Sequence, residues 1–168
     1  TSSSSLKSLA KELDSKYLIF DVSKESDVSK ALLEIDCIDI LINSAGVNIS
    51  KSFENLTNDD WKVIYDINVF GLVNVTRHVI PIMKKSQYIG KIVNIASIKG
   101  LYSSVGRVAY ASSKAAVIAC NALPLIESGI SFSSFLKLRY SSYLSIQDNI
   151  LSTFFLSVAT SQVVSSFS

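Results

Sequence analysis

The chain is predicted to fold as an α/β domain built on an open parallel sheet, and three observations predict it. Short apolar runs that read as strands, at residues 17–20, 38–42 and 92–96, alternate with stretches of helical periodicity. The run Ile38-Asp-Ile-Leu-Ile42 is apolar on both faces, as a sheet covered by helices requires. Asp21, Asn43 and Ser97 follow directly on these runs, at the carboxyl ends of strands, where open parallel sheets bind ligands.

Each element has a local reason. Ser4 or Ser5 can cap a short amphipathic helix over residues 6–13. Residues 17–20 form a buried strand that delivers Asp21-Val22, and residues 27–34 form a second short helix. After the strand at 38–42, Thr57-Asn-Asp-Asp60 opens a helix through a capping box in which Asp stands for the usual Glu or Gln. That helix runs to about Lys85, because Trp61, Ile64, Leu72, Val75, Val79 and Met83 make a broad apolar stripe. Trp61 is read as a core or interface anchor, and Gly90, Gly100 and Gly106 as turn residues. The strand at 92–96 leads through a Gly/Ser-bearing loop into a helix that starts near Val108 or Ala109. Pro124 falls within the span expected of this last helix and would kink or end it. From Ser128 onward, Ser and aromatic residues dominate with little periodicity. The chain therefore divides into residues 1–127, a partial catalytic domain, and a divergent segment 128–168 to which no structure is assigned.

Composition narrows the function classes. In 168 residues, 48% are hydrophobic and 18% charged, so the chain is neither disordered nor a charged linker. A net charge of +2 with no Lys/Arg cluster gives no reason to expect a nucleic-acid partner. The stretch 150–164 is broken by Ser, Thr and Gln and is too short to span a bilayer, so no membrane partner is expected. No secretory signal is visible, which leaves the cytoplasm as the default location. Cys37 and Cys120 have no metal or redox spacing and read as reduced core thiols. His78 is the single histidine, so neither a His-based triad nor a His-rich metal site is available, and no metal is expected.

The chemistry resides in Tyr110 and Lys114, with Ser97 thirteen residues upstream. A phenol is a poor acid at neutral pH, with an unperturbed pKa of about 10. An ammonium group on the same helix face, four residues on, favours the phenolate. A nearby hydroxyl can hold a substrate oxygen while the phenol gives or takes its proton. Asn68, amid an apolar helix stripe, must find partners or cost roughly 1–3 kcal/mol.

Taken in order, Asp21-Val22, Asn43-Ser-Ala-Gly46, Asn68, Ser97 and Tyr110-Ala-Ser-Ser-Lys114 resemble the short-chain dehydrogenase/reductase family in its short, single-domain form, over roughly residues 17–118. The resemblance implies a Rossmann-like, doubly wound parallel sheet and an NAD(P)(H)-dependent oxidoreductase that interconverts a small-molecule carbonyl and alcohol. Tyr110 would be the acid or base. Lys114 would lower the Tyr110 pKa and hold the nicotinamide ribose, and Ser97 would steady the substrate oxygen. Asn68 would hold a water linking Lys114 to solvent. Asn43, Ala45 and Gly46 would let backbone approach the cofactor, with Ser44 replacing the family's second Asn, and Asp21-Val22 would contact adenine. A homodimer or homotetramer is implied as well.

The family's opening strand and Gly-rich turn have no counterpart before Thr1, so the sheet is expected to lack its first βαβ unit. The residue that separates NAD from NADP is absent with it. Gly129-Ile-Ser-Phe-Ser-Ser-Phe135 resembles the family's next strand, with Ser133 in place of its Asn. Two alternatives stand beside the reductase: an inactive truncated fragment or pseudoenzyme that binds no cofactor, and an epimerase or dehydratase sharing Y-x-x-x-K.

Overall fold

The computed structural model describes residues 3–85, 90–120 and 130–137, which fall in one compact unit. In chain order the helices and strands are α1 (Ser3–Glu12), α2 (Glu25–Leu32), β1 (Ile40–Asn43), α3 (Asn58–Tyr65), α4 (Gly71–Met83), β2 (Gly90–Ser97), α5 (Val108–Ala119) and β3 (Ile130–Lys137). Among the described residues the sheet has three strands in the order β1-β2-β3, all parallel. Asn43 stands opposite Asn94, and Ser97 opposite Lys137. β3 lies beyond residue 127, in the segment to which the sequence assigned no structure, and coincides with the stretch resembling the family's next strand. Pro124 and residues 138–168 lie outside the described residues.

The expected capping box is present. The Thr57 hydroxyl accepts from the Asp60 N–H at 3.2 Å, and the Asp60 carboxylate accepts from the Thr57 N–H at 2.9 Å. The helix it opens is continuous but not uniform, because residues Asp66–Phe70 form a π-helical segment between α3 and α4. Lys84 ends α4, as expected of a basic helix end. The core joins Val28 of α2, Val75, Val79 and Met83 of α4, and Ile92 of β2, with Phe20, Val22 and Leu41 packed against it. Burying each such aliphatic side chain contributes about 1.5–3 kcal/mol.

Several expectations are corrected. Residues 17–20 form no strand, and Tyr17, Leu18 and Ile19 are exposed where a buried strand was expected. A strand exists only where its N–H and C=O groups meet those of a neighbour, and no described strand pairs with this segment. The cover predicted for both faces of 38–42 is also incomplete, since Ile40 and Ile42 are each 60% exposed. α1 begins at Ser3, so Ser4 and Ser5 lie inside it rather than before it. Cys37 is exposed, and Cys120 is half-buried with its thiol pKa pushed up by burial.

Gly106, with φ +73°, is a turn residue as expected. Gly90 instead lies in β2 against Met83, where a Cβ would come within 2.9 Å of the sulfur. Trp61 is half-buried and tilts towards Tyr65, with ring centres 6.1 Å apart.

Candidate active site

β2 and α5 carry the acid–base candidates, and two contacts lock these elements together. The Lys114 Nζ donates to the Ile95 carbonyl at 2.8 Å. This holds Lys114, a residue only 5% exposed, against the strand two residues before Ser97. Gly100 then ends the short 3-10 turn that follows β2 and lies on the backbone of Lys114, where a Cβ would be 2.7 Å from the carbonyl carbon. Gly100 is thus a close-approach glycine, a role the sequence reading missed.

Tyr110 sits one turn before Lys114, with the ammonium 6.0 Å from its ring centre. Ser97 is buried, and its Oγ accepts from the Lys99 N–H at 3.2 Å. That bond uses a lone pair and leaves the O–H as a donor.

Asn68 lies in the π-helical segment, a deformation that recurs at functional sites. It is buried, and its side chain clamps the loop after β1. Oδ1 accepts from the Val47 N–H at 2.8 Å, and Nδ2 donates to the Val47 carbonyl at 3.0 Å and to the Ser113 Oγ at 2.9 Å. Gly46 precedes that loop residue. A Cβ on Gly46 would lie 3.4 Å from Asn68 Oδ1 and 3.5 Å from Lys114 Nζ. A side chain there would stand in ordinary van der Waals contact with both groups.

A cavity of about 190 Å³ opens here, walled by Phe20, Val22, the chain from Asn43 to Ala45, Asn68 and Lys114, among others. It gathers Val22, Asn43, Ala45, Asn68 and Lys114 of the predicted set; Ser97 and Tyr110 are not among its walls.

Other predicted residues have structural partners. The Asn43 amide donates to Asn94 Oδ1 at 2.8 Å and to Thr76 Oγ1 at 3.0 Å, which pins β1 to both β2 and α4. Asp21 turns its carboxylate back to the Ser23 hydroxyl, at 2.7 Å, and N–H, at 3.0 Å. Those bonds, helped by Lys24, hold its pKa below the usual carboxylate value. The Val22 carbonyl accepts from Asn74 Nδ2 at 3.1 Å, and its side chain packs where a Cβ on Gly71 would be, 2.7 Å from Cγ2.

Asn74, Thr76, Asn94 and Ser113 were not singled out from sequence. Asn94 offered a signal, as an amide between Val93 and Ile95 in an apolar strand. Among the described residues no group of His, Cys, Asp or Glu could hold a metal, and no helix is long and apolar enough to cross a membrane.

Known proteins resemble this chain in sequence and in fold. The short chain dehydrogenase family model matches residues 1–126. The chain is 34% identical over 128 residues to the 3-oxoacyl-(acyl-carrier-protein) reductase of Aquifex aeolicus, covering 70% of this chain and 51% of that one. It is 39% identical over 105 residues to the cyclopentanol dehydrogenase of Comamonas testosteroni, covering 60% and 42%. The chain thus spans about half the length of the curated relatives it matches. The solved structure of a short-chain dehydrogenase from Streptomyces avermitilis superposes with a TM-score of 0.74 at 24% identity, over 85% of this chain and 56% of that one. That likeness shows the Rossmann-like fold.

Proposed function

The chain belongs to the short chain dehydrogenase family, and from that premise we propose that the protein interconverts a ketone and a secondary alcohol with NAD(P)(H). The relatives' names support this class, since a 3-oxoacyl group and cyclopentanol both carry their oxygen on a secondary carbon. One observation carries the reading. The buried Lys114 ammonium, fixed to the Ile95 carbonyl, stands one helical turn from Tyr110 and against the strand that ends at Ser97.

On this reading Tyr110 gives its phenolic proton to the carbonyl oxygen in reduction and takes it back in oxidation. The Lys114 charge favours the phenolate left behind. Ser97 donates its hydroxyl hydrogen to the same substrate oxygen, where negative charge develops. The bound dinucleotide supplies or accepts the hydride. Lys114 would hold its ribose, and Asn43, Ala45 and Gly46 would line its path; Asn43, Ala45 and Lys114 are walls of the cavity. Asp21 and Val22 would meet the adenine end, Val22 as a wall of the cavity. Asn68 would act by holding the loop after Gly46 in place, because its side-chain amide is engaged by protein groups.

The test is NAD(P)H oxidation with a panel of cyclic and 3-oxo ketones. Tyr110→Phe is expected to slow turnover about a thousandfold with an unchanged circular-dichroism spectrum. Turnover that survives this change sinks the mechanism. A folded chain with no detectable NAD(P)H binding would favour the inactive-fragment reading instead.

A further inference from the structure

We infer that Ser113 is a positioning residue of the active site proposed above, tying the helical turn between Tyr110 and Lys114 to the loop after β1. The inference rests on that functional reading. Ser113 is fully buried. Its hydroxyl donates to the Tyr110 carbonyl at 2.7 Å and accepts from Asn68 Nδ2 at 2.9 Å. The same Asn68 side chain holds both backbone groups of Val47, the residue after Gly46. Three segments distant in sequence are therefore chained through the Asn68 amide and this hydroxyl: the loop after β1, the π-helical segment and the turn of α5 that carries the acid–base pair.

Serine inside a helix commonly bonds a carbonyl one turn back and nothing more. Ser112 does this, donating to the Ala109 carbonyl at 2.9 Å. Ser113 makes the equivalent bond and also receives one from another element. Asn68 is buried as well, so an amide hydrogen deprived of Ser113 has no water to turn to and must move or stay unpaired. Moving it releases Val47, and with Val47 the loop that begins at Gly46. The sequence gives no hint of this, since Ser112 and Ser113 are adjacent and chemically identical; the difference is which face each one occupies.

That pair supplies the test. Ser113→Ala keeps helix propensity and removes the link, whereas Ser112→Ala removes a back-bond alone. In the full chain, Ser113→Ala is expected to lower kcat for ketone reduction about tenfold while KM for the ketone stays within about twofold. Ser112→Ala is expected to stay within about twofold on both. Amide hydrogen exchange at Val47, read by NMR, should accelerate about tenfold in Ser113→Ala and not in Ser112→Ala. Matching behaviour of the two variants in kcat and in Val47 exchange overturns the inference. If the unsubstituted chain turns nothing over, the proposed function fails on its own. Exchange at Val47 then decides the tie to the loop: faster exchange in Ser113→Ala upholds it, and unchanged exchange removes it.

Discussion

The two sides of the sheet are built differently. Around β2 and α5, buried polar groups meet named partners, and backbones approach until only glycine fits, as Lys114 on Ile95 and Gly100 on Lys114 show. Around β1 and residues 17–22, cover is partial: Phe20, Val22 and Leu41 pack on the core, while Tyr17, Leu18 and Ile19 are exposed. Ile40 and Ile42 face outward, and residues 17–20 pair with no described strand. The lesson is that apolar, β-branched sequence supplies the capacity for a strand, whereas a neighbouring edge makes it one. The acid–base residues all lie on the side where the neighbours are in place.

The comparison can be broken or sharpened by substitution. The largest stability effect is expected from Ile92→Ala, at a fully buried position of β2, which should cost about 2–5 kcal/mol. Its counterpart Ile42→Ala, on the uncovered face of β1, should change stability by no more than about 0.5 kcal/mol. Urea unfolding of both reads the contrast directly, and equal losses would show that β1 is covered after all. Gly100→Ala comes next. Its Cβ would meet the Lys114 backbone as well as the Ile118 side chain, so overpacking should cost about 1–3 kcal/mol. Ketone reduction should fall further than stability alone accounts for, since the turn after Ser97 must shift.

A smaller loss than at Ile92 or Gly100 concerns the capping box of α3, remote from both regions. Thr57→Ala should cost about 1 kcal/mol by urea unfolding. Its partner Asp60 also gives a pH signature. The Lys51 ammonium, with the Thr57 N–H and hydroxyl, lowers the Asp60 pKa from 3.8 to about 2. The unfolded chain takes up this proton more readily than the folded one. The stabilisation is therefore complete above pH about 4 and is lost as pH falls towards about 2. Asp60→Asn should flatten the urea midpoint over that window.

Much of the site was legible in the sequence because its polar residues interrupt apolar patterns. Asn68 breaks a helical stripe, and Ser97 and Asn43 end strands, so their places could be read before any packing was known. Asn94 sits in the same kind of apolar context, and its role as partner to Asn43 emerged only from the strand register. Ser113, Asn74 and Gly100 act through contacts with segments tens of residues away or across a turn, and periodicity carries no information about those. The strand expected at 17–20 failed for the complementary reason: its apolar pattern is there, but no described strand pairs with it. Asp21 shows a third case, a residue whose motif position suggested a ligand contact while its carboxylate serves its own turn.

The π-helical segment at Asp66–Phe70 has a consequence for the whole long helix. An α-helix advances about 100° per residue, so one extra residue in a turn shifts the phase of everything after it. α3 keeps its inner face towards α5, while α4 presents a separately phased face to α2 and β1. Two angular settings are thus spliced into one rod, and the splice falls at the asparagine that grips the neighbouring loop. Removing a single residue there would restore regular winding and rotate one half out of step with its partners.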